Sequence, residues 1–147
     1  MNTTVAAPPL NIERTIDATL AETWTAWTEA ELVARWFAPG NMRAEVLEYD
    51  VRSGGHYRIR MRDEEGGTHT VGGEFVEVTP QRRLVISWAW EGDATTQSKV
   101  TVDFDAGNVG TRLRILHEDL PSEESAAKHK QGWIGCLDNL CNRINAF

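Results

Sequence analysis

Four histidines, two cysteines and six tryptophans carry most of the chemical possibility in this 147-residue sequence. His117 falls in the inward register at the end of a strand-like stretch, and His129 stands one helical turn before Trp133. An imidazole in either place can orient a polar group or exchange a proton, and a hydrogen-bonded structural role is the plainer reading. His56 and His69 read as outward-pointing or in a turn. No two histidines have the same-face spacing of a His-x-x-x-His site, so the spacing offers no metal centre. Cys136 and Cys141 lie about 140° apart around a helix axis, which keeps their sulfurs from meeting, and neither sits in a nucleophile signature. Glu77, Asp103 and Glu118 fall on strands. Asp103 and Glu118 face away from the apolar register, whereas Glu77 shares parity with Phe75. There is no Gly-x-Ser-x-Gly, and the glycine doublets at 54–55, 66–67 and 72–73 do not open a helix as a phosphate loop would. The row Arg58, Arg60, Arg62 reads as a solvated strand face.

The tryptophans point elsewhere. Trp36, Trp88, Trp90 and Trp133, with Tyr57, fall on inward faces. Large aromatics there either fill a core or wall a cavity for an apolar molecule. Gly132 and Gly135 each cost a helix interior about 1 kcal/mol relative to Ala, so a shape requirement is expected: close approach, a kink, or open space beside Trp133.

These side chains need elements to place them. Residues 122–147 repeat Ala126, Trp133, Leu137, Leu140, Ile144 and Phe147 at helical spacing, which predicts a helix about 37 Å long. Ser122 can cap it, and Glu123 and Glu124 suit the positive end of its dipole. Residues 10–17 alternate as a half-buried strand, with Arg14 on the apolar side, near an open end or paired with a carboxylate such as Glu118. Thr19 with Glu22, and Thr28 with Glu31, have capping-box spacing and start two short helices, the second ended by Pro39 and Gly40. Six alternating strands follow, with a bulge suspected at Gly72 and Gly73. A single antiparallel sheet with one apolar face must cover that face, and only the last helix is long enough.

A net charge of −7 argues against generic nucleic-acid or anionic-membrane binding. No apolar run approaches the ~20 residues of a membrane span. Residues 1–9 read as a flexible tail without a basic start or apolar segment, hence no signal peptide. Unpaired cysteines fit a cytoplasmic protein. One domain, 10–147, is expected.

The ordered landmarks resemble a known family. They are Trp36-Phe37-Ala38-Pro39, Gly54-Gly55 before Tyr57, Gly73-Glu74-Phe75-Val76-Glu77-Val78-Thr79-Pro80, Leu84 to Trp88, Gly110-Thr111 and Gly132-Trp133. Together they are similar to the heat shock protein 90 ATPase activator homologue-like (Aha-type) family of the START / Bet v 1-like (SRPBCC) superfamily. The resemblance implies an α+β helix-grip fold: seven curved antiparallel strands around the long C-terminal helix, with two short helices after the first strand. It also implies a cavity between helix and sheet that binds hydrophobic molecules in many relatives, with Trp36, Phe37, Trp88 and Trp133 in its wall. Some superfamily members are cyclases or aromatases, a role for which this chain offers His117 and Tyr57. The eukaryotic co-chaperone has an additional N-terminal domain for which this chain has no room, so chaperone contact is not expected.

The combined expectation is binding of a small hydrophobic or aromatic molecule without cofactor, metal or covalent chemistry. The expected lining is Trp36, Phe37, Tyr57, Met61, Trp88, Trp90, His117, His129, Trp133 and Leu137. The alternatives are a cyclase- or dehydratase-like enzyme using His117, and a protein-interaction or stress-related co-chaperone-like role. A homodimer through exposed apolar surface is compatible with the sequence, which locates no interface.

Overall fold

The computed structural model describes residues 7–93 and 97–147. Seven strands form one antiparallel sheet: β1 (Leu10–Ile16), β2 (Arg43–Tyr49), β3 (His56–Arg62), β4 (Thr68–Thr79), β5 (Arg83–Trp90), β6 (Ser98–Ala106) and β7 (Thr111–Glu118). Their spatial order is β1-β7-β6-β5-β4-β3-β2. The chain thus leaves the sheet at one edge and re-enters at the other. Helices α1 (Leu20–Thr28) and α2 (Ala30–Trp36) make that crossing, and α3 (Glu123–Arg143) covers the apolar face before a final turn, Ile144–Ala146. This is the helix-grip arrangement of a curved sheet around a C-terminal helix.

The helices form for local reasons. Thr19 accepts from the Glu22 N–H, and the Glu22 carboxylate accepts from the Thr19 N–H, a complete capping box. Ser122 accepts from the Ser125 N–H at the start of α3, with Glu123 and Glu124 in the first turn. The second expected box does not form. Thr28 instead donates to the Trp24 carbonyl, and α2 begins at Ala30 behind Glu29, whose side chain makes no capping bond. A hydroxyl bonded back into its own helix is not free to start the next one. α2 also ends at Trp36, before Pro39.

Gly72 and Gly73 sit in regular register, and the bulge lies further on, between Phe75 and Glu77. Its consequence is visible in exposure: Phe75 is buried, Val76 is 55% exposed and Glu77 is exposed. One extra residue turns Glu77 out of the parity it shares with Phe75. Gly73 has a different task. A Cβ there would stand 2.2 Å from the Ser87 carbonyl oxygen, so only glycine lets β4 pass β5 at this point.

Arg14 lies on the apolar side of β1 and pairs with Asp138 of α3 at 2.8 Å, not with Glu118. Of the expected tail, residues 1–6 lie outside the described residues. Ala7 is already buried and its N–H donates to the Leu120 carbonyl.

Gly73→Ala should lower stability by about 3 kcal/mol, because the clash is with backbone and no side chain can move aside. Chemical denaturation compared with wild type checks this, and an unchanged midpoint would refute the close-approach argument.

Candidate functional site

The site lies where α3 crosses β5. Trp88 and Trp90 are two apart on β5 and share its inner face, whereas His129, Gly132, Trp133 and Cys136 share one face of α3. Phe37 and Pro39 close one side from the segment after α2, and Met61 closes another from β3. Between them is an opening of about 320 Å³. Trp88 and Trp133 are 5.2 Å apart by ring centroid, Phe37 and Trp133 5.8 Å, and Trp88 and Trp90 5.7 Å.

Burying three indoles leaves three N–H groups that need acceptors, and the two inner histidines supply them. Trp133 Nε1 donates to His117 Nδ1 at 3.1 Å. His117 Nε2 must then carry the proton and donate to Ser98 Oγ at 2.8 Å, while Ser98 donates to the Trp88 carbonyl at 3.2 Å. Trp88 and Trp90 both donate to His129 Nε2, at 3.3 and 3.0 Å. His129 Nδ1 therefore carries its proton and donates to the Ser125 carbonyl at 2.8 Å. Both imidazoles are neutral in this arrangement, and all four ring nitrogens are engaged. Burial, reinforced by neighbouring His129, lowers the His117 pKa to about 3.

The expected wall residues separate into two groups. Phe37, Met61, Trp88, Trp90, His129 and Trp133 line the opening. Trp36, Tyr57, His117 and Leu137 do not. Trp36 and Tyr57 border a separate void of about 20 Å³ deeper in the core, with Phe37 standing between the two spaces. Leu137 is buried in the solid core, and His117 is wholly buried behind the opening's wall. The Tyr57 hydroxyl donates to the Ser87 carbonyl at 2.6 Å, and burial drives its pKa well up.

Sequence reasoning missed Pro39, Met42, His69, Lys128 and Cys136 as lining residues. His69 had a readable signal: it shares parity with inward Val71 and pairs directly with Met61, so it reaches the rim of the opening while its side chain stays exposed. Its imidazole is 3.5 Å from Asp63 at the rim. Gly132 and Gly135 have separate tasks. A Cβ at Gly132 would meet nothing within 4 Å, so this glycine leaves space in the opening. At Gly135 it would come within 2.7 Å of Pro39 Cβ, so that glycine seats α3 against the loop after α2. Both cysteines are free, and burial pushes the Cys136 thiol up to about 12, which keeps it protonated. Among the described residues no group of His, Cys, Asp or Glu could hold a metal ion.

The His117 geometry sets a pH dependence. An unfolded chain protonates this imidazole near 6.5, whereas the folded chain resists until about 3. The folded-state pKa is depressed, so its stabilisation is complete above 6.5 and is lost as pH falls through that window. As pH falls from 6.5 to 5, where carboxylates contribute little, the loss of stability through this residue should steepen toward a limit of about 1.4 kcal/mol per pH unit. His117→Gln should flatten that slope, as measured by denaturant midpoints across the window. An unaltered slope would contradict the neutral, donor-to-Ser98 assignment.

Residues 17–144 match the family model described as Activator of Hsp90 ATPase homolog 1-like protein. No curated protein matches the chain. Among solved structures, a protein of Chromobacterium violaceum is similar at 24% identity and a TM-score of 0.85, over 92% of this chain and 96% of that one. The AHSA1 protein of Silicibacter pomeroyi is similar at 21% identity and a TM-score of 0.85, over 95% of this chain and 99% of that one. An AHSA1-like protein of Aeromonas hydrophila is similar at 24% identity and a TM-score of 0.79, over 95% and 93%. The chain belongs to the Activator of Hsp90 ATPase homolog 1-like family, within the Bet v 1-like (SRPBCC) superfamily.

Proposed function

We propose that this protein binds a small apolar or aromatic molecule in the opening between α3 and β5, without covalent chemistry, in the cytoplasm. The carrying observation is an opening of about 320 Å³ walled by Phe37, Met61, Trp88, Trp90 and Trp133, whose indole N–H groups are already bonded to histidines. Such a wall offers apolar surface and ring faces but no free indole donor. Burying a ligand there gains about 25 cal/mol per Å² of apolar area before ordering costs. A ligand body carrying hydrogen-bonding groups would leave water without recovering its bonds. The superfamily often binds hydrophobic ligands, which supports the same reading.

An acid–base enzyme needs a ring nitrogen that reaches its substrate. His117 spends both nitrogens on Trp133 and Ser98, and His129 spends both on Trp88, Trp90 and Ser125. The binding reading therefore stands ahead of the cyclase-like one. A pure interaction role would have no use for an opening, which favours binding again.

Gly132→Leu should fill the opening without disturbing the fold, since a side chain begun there meets no neighbour within 4 Å. The probe is N-phenyl-1-naphthylamine, a neutral aromatic dye whose fluorescence rises in apolar surroundings. Its affinity should fall at least about tenfold, or 1.4 kcal/mol, with the thermal midpoint retained. Equal dye binding by the variant and wild type would place the dye elsewhere and sink the proposal.

A further inference from the structure

A second recess lies at the other end of α3, between α2, β2 and the last turn of the chain. It holds about 620 Å³ and is lined by Arg35, Arg43 and Arg143 together with Asn41 and Asn139, and by no aspartate or glutamate. This is unusual in a chain of net charge −7. Arginines elsewhere are matched: Arg58 to Glu91, Arg60 and Arg62 to Glu45, Arg83 to Asp103, Arg112 and Arg114 to Glu13. Among the described residues, the cations without a carboxylate partner are Arg35, Arg43, Arg82, Arg143 and Lys130, and three of these meet in this one recess.

Two of the three are also held in place. Arg143 Nη1 donates to the Arg35 carbonyl at 2.6 Å, which leaves its other N–H groups unspent. The Arg35 guanidinium stands 6.0 Å from the centroid of the Phe147 ring. Both residues close helices, where a cation complements the dipole. That account does not reach Arg43, which begins strand β2 at the sheet edge. Three like charges with no carboxylate within ion-pair distance repel one another, and a bound dianion relieves that cost. Guanidinium forks match phosphate oxygens in pairs, and the Asn41 amide adds a neutral donor.

We propose that this recess is a binding site for the phosphate group of a small molecule, separate from the apolar opening and independent of what that opening takes. Met42 lines both spaces, so the two sites share one wall.

The test is calorimetric titration of the whole protein with inorganic pyrophosphate at constant ionic strength. Wild type should bind saturably. Arg43→Gln should weaken binding about tenfold, the loss of a charge-assisted hydrogen bond, with an unchanged thermal midpoint because Arg43 has no side-chain partner to lose. Arg43→Lys should recover part of that loss, since charge returns without the fork. Arg82→Gln, another unmatched cation outside the recess, should bind as wild type does. Flotation with phosphatidylcholine vesicles doped with phosphatidic acid separates the sources: Arg43-dependent co-flotation marks a lipid headgroup, and pyrophosphate binding without it marks a soluble phosphate. Absence of pyrophosphate binding, or equal losses in Arg43→Gln and Arg82→Gln, would overturn the proposal.

Discussion

An indole is a large apolar body with one donor, and leaving that donor bare in a dry interior costs free energy. This protein buries or half-buries three indoles around one opening and meets all three N–H groups with two neutral imidazoles. The choice of acceptor has a structural result. His117 comes from β7 and His129 from α3, so each indole bond ties the β5 or α3 aromatic to another element. The rings of His117 and His129 stand 5.0 Å apart, and burial together with this neighbour disfavours protonation of His117. The three indole donors around the opening are met and the space beside them remains apolar, whereas deeper in the core the buried Trp27 Nε1 has no partner among the described residues.

Around that network, the fold holds the opening from several directions. The sheet leaves α1 and α2 to cross from its first edge to its last, and the segment after α2 delivers Phe37 and Pro39 beside α3. Gly135 allows that segment to seat against the helix, and one turn earlier Gly132 withholds a side chain where the cavity lies. On the sheet, Gly73 lets β4 pass under the Ser87 carbonyl, which in turn accepts from Tyr57. Tyr57 thereby belongs to the support behind the site rather than to its surface.

The outer face follows simpler electrostatics. Arginines and carboxylates alternate across neighbouring strands, and exposed pairs of this kind contribute little stability each while keeping the sheet soluble. Against that background of matching, the recess at the end of α3 stands apart by its unmatched charge rather than by its shape. The apolar opening and the cationic recess therefore select for different chemistry on one small domain.

Periodicity was enough to determine the element types and their order. Alternation of period two and steps of three and four record which side of each segment leaves water, so the long helix and the strand succession are legible in the residues themselves. The same alternation places Trp88, Trp90 and Trp133 inward, and Ser122 with its acidic neighbours marks where α3 begins. It does not say how deep an inward residue lies. Phe37 and Trp36 are adjacent and both buried, yet only Phe37 reaches the main opening, because depth depends on which element packs above. Nor does it locate a bulge, so the parity of Glu77 misleads until one extra residue in β4 is seen. Pairings between distant segments, such as Arg14 with Asp138, the indoles with the histidines, or three arginines in one recess, were decided only in tertiary structure. A side chain's partner is set by where the chain returns in space, and local spacing carries no record of that return.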